Sequence, residues 1–244
     1  MKVDVIVLTK NSGKELESCL NSVYENIPVN RIIAVDGYST DGTLEILQKF
    51  DEKYHNIVLI QDEGTRGRAR QIGIEEAETE WLMFVDSDVI LCKDWFKRAV
   101  KQINGAGALW GVNVDVVPDV TNQTFLKMLI HVAKEIFEIR GGMHDTLILK
   151  GSVKDIRIPD WLHIYEDKYI IDWIKKKGYK VVTGDDLYCL HYRPPSDWDL
   201  KESINLASLE IRYGLIHYHG FRFVLYYPFY VFFWFMQSMK KNFG

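Results

Sequence analysis

The residues with the clearest chemical potential are Asp86 and Asp88, which close the apolar run of "WLMFVDSDVIL" at positions 81–91. Two carboxylates one residue apart at a strand end can bind a hard divalent cation, act as a general acid/base pair, or cap a helix. Unpaired carboxylates this close repel each other unless solvent, a proton or a cation intervenes. A cation that keeps coordination sites open for phosphate is therefore an economical reading. A single Asp after a strand is commonly a turn residue, but here the feature repeats. The first apolar run ends in Thr9-Lys10-Asn11, the second in Asp36-Gly37 and the third in Asp62-Glu63-Gly64. Nearby, "RGRAR" sets Arg66, Arg68 and Arg70 at a helix start, where guanidinium groups and backbone N–H groups both favour phosphate. The competing reading is a solvated basic helix face.

These groups need a scaffold that brings strand ends to one edge. Apolar runs alternate with amphipathic segments over the first 110 residues, the pattern of stacked β-α-β units. Strands are expected at 3–8, 31–35, 57–60 and 81–85. Helices are expected in "SGKELESCLNSVYENI", with Leu16, Leu20 and Val23 on one face, in "TDGTLEILQKF", capped by Thr40 or Asp41, and in "RGRARQIGIEEAETE". Further along, the pattern predicts a strand over 109–117, helices over 121–139 and 166–177, the latter ended by Gly178, and strands over 180–183 and 187–191. In such α/β sheets ligands sit beyond the carboxyl ends of the strands, which is where the acidic and amide groups collect.

Composition narrows the function. A chain of 244 residues is long enough for a full α/β core, and a net charge of −4 argues against non-specific nucleic-acid binding, which needs a basic surface. Cys19, Cys92 and Cys189 are far apart and in no CxxC arrangement, so neither a zinc site nor a disulfide framework is expected. A reducing compartment fits, and "MKVDVIVLTK" is too short and too interrupted by Asp4 for a signal peptide, so a cytosolic start is expected. No Gly-x-Gly-x-x-Gly follows the first strand, which disfavours a dehydrogenase. Residues 223–239, "FVLYYPFYVFFWFMQSM", are uncharged and dominated by aromatic side chains, with basic flanks at Arg222 and Lys240-Lys241. The stretch sits at the lower limit for spanning a bilayer and is interrupted by Pro228, so a segment lying in the interface is expected.

The chain resembles the family 2 glycosyltransferases of the GT-A fold. "VIVLTKNSGKELESCLNSV" is similar to that family's first strand and helix, and "AVDGYSTDGTLEIL" to its Asp-Gly-x-Ser-Thr-Asp-Gly-Thr signature. "ARQIGIEEAETEWLMFVDSD" resembles its Ala-Arg-Asn-x-Gly segment leading into Asp-x-Asp, with Gln71 in place of the commoner Asn, and the similarity resumes at "IYEDKYIIDWIKKKGYKV". Between them, Gly141-Gly142 corresponds loosely to a glycine pair of the acceptor region, and "MHDTLILKGSVKD" diverges.

The resemblance implies a Rossmann-like, mostly parallel sheet flanked by helices, with residues 1–214 as the catalytic domain, and the composition of the C-terminal stretch marks 215–244 as a membrane-associating segment. The resemblance also implies that Thr9, Asn11 and Asp36 hold the nucleoside, with Asp36 facing a base imide, and that Arg66, Arg70 and Asp86 complete the donor site. Asp88, with Asp86 and His191, would bind Mn2+ or Mg2+ against the diphosphate, and Asp167 would be the catalytic base. Helix-dipole compensation is the bland alternative for Glu166 and Asp167. A satisfied, partly buried histidine is the alternative for His191, and Arg193 is a further diphosphate candidate. His131, His144, His163, His217 and His219 show no spacing that suggests a site. The expected activity is metal-dependent inverting transfer from a UDP- or GDP-linked sugar to a hydroxyl or lipid phosphate on a glycan or lipid-linked acceptor. It would take place on the cytosolic face of a membrane. The rivals are a nucleotidyltransferase, against which "TKNSGKE" stands where a glycine-rich loop is needed, and an inactive nucleotide-sugar-binding scaffold.

Overall fold

The computed structural model describes residues 1–115 and 142–192. The expected helix over 121–139, the end of the 109–117 strand, Gly141, Arg193 and the 215–244 segment lie outside the described residues.

The first four strands run parallel: β1 (Val3–Thr9), β2 (Val29–Asp36), β3 (Ile57–Gln61) and β4 (Trp81–Asp86). Helices α1 (Leu16–Asn26), α2 (Thr43–Tyr54) and α3 (Arg66–Glu76) connect them. On α1, Leu16, Cys19, Leu20 and Val23 recur at helical spacing and are fully buried. Each such Leu or Val contributes roughly 1.5–3 kcal/mol over an exposed position. The helix stops where Ile27 turns extended ahead of Pro28, a residue that disfavours helical backbone before it.

Two helix ends differ from the sequence expectation. Neither Thr40 nor Asp41 caps α2, whose cap position is Gly42. Asp41 instead accepts from the N–H groups of Thr43 and Gly13, tying the β2–α2 loop to the β1–α1 loop. Helix α3 ends at Glu76 rather than running through residue 80, because the buried Asp4 carboxylate accepts the N–H groups of Glu78 and Thr79 and draws that segment out of the helix.

Beyond β4 the sheet becomes mixed, with strand order β3-β2-β1-β4-β7-β6-β8-β5. Strand β7 (Asp145–Leu149) lies antiparallel between β4 and β6 (Ala106–Asp115). Strand β8 (Lys180–His191) runs parallel to β6, and the short β5 (Val89–Leu91) pairs antiparallel with β8 at the sheet margin. The two strands expected at 180–183 and 187–191 are thus one. β7 falls in the divergent stretch where no strand was expected, and β5 and the short α4 (Trp95–Ala99) are also additions. The largely parallel expectation describes β1 to β4. Helix α5 (Glu166–Lys176) ends as expected before Gly178, which has φ +87°. Helix α3 packs closely on β1, and a Cβ at Gly73 would stand 2.4 Å from Ile6 Cγ2, so only glycine fits there.

One buried acid sets a pH dependence. Asp145 accepts from Trp95 Nε1 at 2.9 Å and from the Gly111 N–H at 3.2 Å. Burial pushes its carboxyl up to about 7, and the Trp95 hydrogen bond opposes that rise only in part. A carboxyl raised on folding binds its proton more tightly in the native state. Its stabilising contribution is therefore complete below the unfolded value of about 4 and is lost as pH rises towards 7. Denaturant unfolding of wild type and Asp145→Asn from pH 4 to 8 should show wild type losing stability relative to the variant up to about pH 7 and levelling above it. A pH-independent difference would exclude this titration.

Candidate active site

The parallel strand ends build one wall of the site. Asp36, the last residue of β2, is fully buried and accepts the hydroxyls of Thr9 (2.8 Å) and Ser39 (2.6 Å) on Oδ1 and the Ser39 N–H (2.8 Å) on Oδ2. The Ser39 hydroxyl in turn accepts the Asn11 N–H, and Asn11 Oδ1 accepts the Thr40 N–H. Asn11 itself stands in the left-handed region with φ 51°, a conformation Asn tolerates better than most residues. Thr9, Asn11 and Asp36 are brought together as expected. Asp36, however, spends its carboxylate on tying the two loops together inside the protein.

The arginines diverge in role. Arg70 is buried, and its guanidinium lies between two carboxylates: Nη2 is 3.3 Å from Asp86 Oδ1 and Nε is 3.2 Å from Glu166 Oε1. Arg68 faces solvent and pairs with Asp62 at 2.7 Å, which is the solvated-face reading. Arg66 is exposed near Asp86 and Glu166 and adds positive charge to both. Burial opposes the ionised form of Asp86, yet the His144 hydrogen bond and the charges of His144, Arg70 and Arg66 hold its carboxyl well below the usual carboxylate range. Burial raises Glu166, with Arg70 acting against it.

Helix α3 also carries the chain that leads to α5. The Gln71 side chain donates to the Ile156 carbonyl at 3.3 Å and accepts the Ile158 N–H at 3.0 Å, and the Gly67 N–H donates to the Leu162 carbonyl at 2.9 Å. Tyr165, at φ 70°, then turns the chain into α5, setting Glu166 against Arg70 and the half-buried Asp167 in the first helical turn. Asp167 Oδ1 accepts the Lys168 N–H at 2.7 Å.

Asp88 and His191 meet through register. Val89 pairs with His191 across β5 and β8, and the Tyr192 N–H donates to the Asp88 carbonyl at 2.8 Å. His191 Nε2 then lies 3.1 Å from Asp88 Oδ2. That separation matches the roughly 3 Å between adjacent ligands on a cation with bonds of about 2.1 Å, and one carboxylate with one imidazole is a donor set that Mn2+ accepts. The Asp86 oxygens are engaged by Arg70 and His144 instead, so of the three expected ligands Asp88 and His191 are in direct contact. Among the described residues no group of three or more His, Cys, Asp or Glu side chains forms a cation site. A cleft of about 160 Å3 opens beside the pair, lined by Glu15, Ser18, Asp88, Ile90 and Tyr192. Ser87 meets Ser12 across 2.8 Å, linking the acidic turn to the β1–α1 loop.

Sequence reasoning passed over Ser39, Glu166 and His144 as members of this site. Ser39 lies inside the quoted signature, and Glu166 adjoins Asp167, so both carried a signal. His144 carried none, since its place depends on the unexpected strand β7.

The profile described as glycosyl transferase family 2 matches residues 4–158. The poly(ribitol-phosphate) beta-N-acetylglucosaminyltransferase TarS of Staphylococcus aureus is 33% identical, with 86% of this chain and 40% of the relative aligned. Glycosyltransferase AglE of Haloferax volcanii is 36% identical over 119 residues, which is 46% of this chain and 39% of AglE. The chain therefore spans about two fifths of the length of these relatives. Among solved structures, S. aureus TarS 1-349 in complex with UDP superposes with a TM-score of 0.63 at 25% identity, covering 88% of this chain and 72% of that one. The mannosyltransferase PcManGT of Pyrobaculum calidifontis, solved with GDP-Man and Mn2+, shares the fold at a TM-score of 0.64 and 19% identity, covering 94% and 69%.

The Arg70 bridge has a measurable consequence. Arg70→Met leaves Asp86 and Glu166 without their shared cation, and breaking a buried pair typically costs about 3–5 kcal/mol. The variant should unfold at a clearly lower denaturant midpoint, whereas Arg68→Met, at the solvent-facing pair, should stay near wild type. Equal midpoints for the two variants would show that the bridge does not hold the fold.

Proposed function

The chain belongs to glycosyl transferase family 2, and from that premise we propose that it is a metal-dependent inverting glycosyltransferase using a UDP- or GDP-linked sugar. The observation that carries the reading is the convergence at one sheet edge of the Asp88–His191 pair and, through Arg70, of the Asp167-bearing helix. The nucleotide complexes of the relatives agree with it: TarS was solved with UDP and with UDP-GlcNAc, and PcManGT with GDP-Man and Mn2+.

In this reading the loops locked by Asp36, Thr9, Asn11 and Ser39 form the floor of the nucleoside site, and Arg66 stands in solvent where a diphosphate can reach it. Asp88 and His191 would hold Mn2+ or Mg2+, which when bound supplies neutralising charge for the departing diphosphate. The ionised Asp86 contributes a fixed negative acceptor beside them. Asp167 accepts the proton of an acceptor hydroxyl as the hydroxyl oxygen attacks the anomeric carbon from the face opposite the diphosphate. A lipid-phosphate acceptor is already anionic and needs no such base. Glu166 is positioned by Arg70 and anchors the first turn of α5.

The test is turnover of labelled UDP-GlcNAc and GDP-mannose with and without Mn2+. Asp88→Ala should abolish metal-dependent donor binding and leave the fold intact. Asp167→Asn should lower kcat by about 10²–10⁴-fold for a hydroxyl acceptor while donor affinity stays the same. Parallel loss of donor binding in Asp167→Asn would remove the base role, and an Asp88→Ala variant with normal metal-dependent turnover would remove the cation role.

The composition of residues 223–239 supports a location at the cytosolic face of a membrane, with the aromatic side chains at headgroup level and the basic flanks on anionic lipid. Among the described residues no helix is long and apolar enough to cross a membrane. The full chain should sediment with liposomes containing anionic lipid and release at high salt. A chain that ignores such liposomes would assign the aromatic segment to packing or to self-association.

A further inference from the structure

His144 grips Asp86 at two points. Its Nδ1 lies 2.7 Å from Asp86 Oδ2, and its backbone carbonyl accepts the Asp86 N–H at 3.2 Å. The antiparallel register that pairs Val85 with Asp145 sets residue 144 opposite residue 86 at the strand ends. The ring also lies against His191, with centroids 4.8 Å apart and planes tilted by 38°. Gly142 makes room for it, since a Cβ there would come within 2.5 Å of His144 Cδ2. The imidazole is therefore wedged between the first carboxylate of the acidic motif and the histidine of the cation pair.

We propose that His144 is a positioning residue for donor binding, which fixes the Asp86 carboxylate through an Nδ1–H hydrogen bond and so keeps it apart from the Asp88–His191 cation site. An ionised carboxylate only accepts hydrogen bonds, so His144 Nδ1 carries the proton in this contact. With His144 on Oδ2 and Arg70 on Oδ1, turning the Asp86 carboxylate towards Asp88 would break one or both of these contacts, while each oxygen keeps a lone pair for the donor. The two carboxylates of one tripeptide are thereby given separate tasks: Asp86 is a rigid acceptor for the donor, and Asp88 serves the cation. Preorganised groups of this kind contribute most when their own partners hold them still. The proposal rests on the nucleotide-sugar reading above.

The experiment uses the full chain and compares wild type with His144→Ala and His144→Asn, whose amide nitrogen can stand where Nδ1 stands. Calorimetry measures binding of UDP and GDP in the presence of MnCl2, and of MnCl2 alone. Loss of a charged hydrogen bond of this type should weaken nucleotide binding about tenfold in the Ala variant. The Asn variant should recover most of that loss, and Mn2+ affinity without nucleotide should not fall in either. Donor KM should rise with the nucleotide dissociation constant. Nucleotide affinity in Ala equal to wild type, equal damage in Ala and Asn, or a parallel loss of Mn2+ binding would overturn the proposal. Should the Ala variant not fold, nitrogen spectra of 15N-histidine wild type decide instead. They should show one ring, absent in His144→Asn, with a protonated Nδ1 whose signal shifts on Asp86→Asn. If that signal is missing, the contact is not made and the proposal falls. Wild type that binds neither nucleotide sinks the nucleotide-sugar reading, and the histidine spectra still decide the His144–Asp86 bond.

Discussion

The Arg70 guanidinium sets the charge balance on which the acidic sheet edge depends. It is buried between Asp86, at the end of β4, and Glu166, at the start of α5, two residues 80 positions apart in the chain. Carboxylates at this depth are stable as ions only when a cation and hydrogen bonds offset their lost hydration. A neutral side chain at position 70 would leave both acids to repel each other or take up protons, and α5 would lose its electrostatic tie to the strand ends. The contacts of Gln71 and Gly67 to residues 156–162 have the same effect through neutral hydrogen bonds. Helix α3 thus acts as the clamp joining the parallel strand ends to the helix that bears Asp167.

How far the sequence reveals this arrangement depends on the range of the interactions. β1 to β4 and α1 to α3 are readable because local periodicity and parallel crossovers leave few alternatives, and the polar residues at their carboxyl ends fall where α/β sheets place ligands. Thr9, Asn11 and Asp36 converge for that reason. The mixed half resists such reading. Strand β7 is five residues long, lies in "MHDTLILKGSVKD", and takes its place only through antiparallel pairing with β4 and β6. Short apolar runs of this kind do not declare their partners, since pairing is set by tertiary burial on both faces. His144 was invisible as a site residue because β7 was.

Asp88 and His191 show the same limit from the other side. Each is singled out by residue type, but only the β5–β8 register, pairing Val89 with His191, explains why they meet. Sequence also overstates the equivalence of like residues. The three arginines of "RGRAR" read alike on paper, whereas the helix turns Arg70 inward to two carboxylates, Arg68 outward to Asp62, and leaves Arg66 in solvent. Positions two apart on a helix do not share a face, so the pattern itself implies that the three cannot act as one patch.

The acids of this chain divide by what surrounds them. Asp4 stops α3, Asp36 locks two loops, Asp145 holds Trp95 and the β6 backbone, and Glu166 answers Arg70; each is buried and satisfied by the protein. Asp88 and Asp167 are partly exposed, and they stand on elements that the buried acids fix in place. Asp86 lies between the two classes, partly exposed yet held by Arg70 and His144 on both oxygens. Rigid acidic geometry at an open edge requires this division, because a carboxylate free to seek its own partners cannot also wait, correctly oriented, for a ligand.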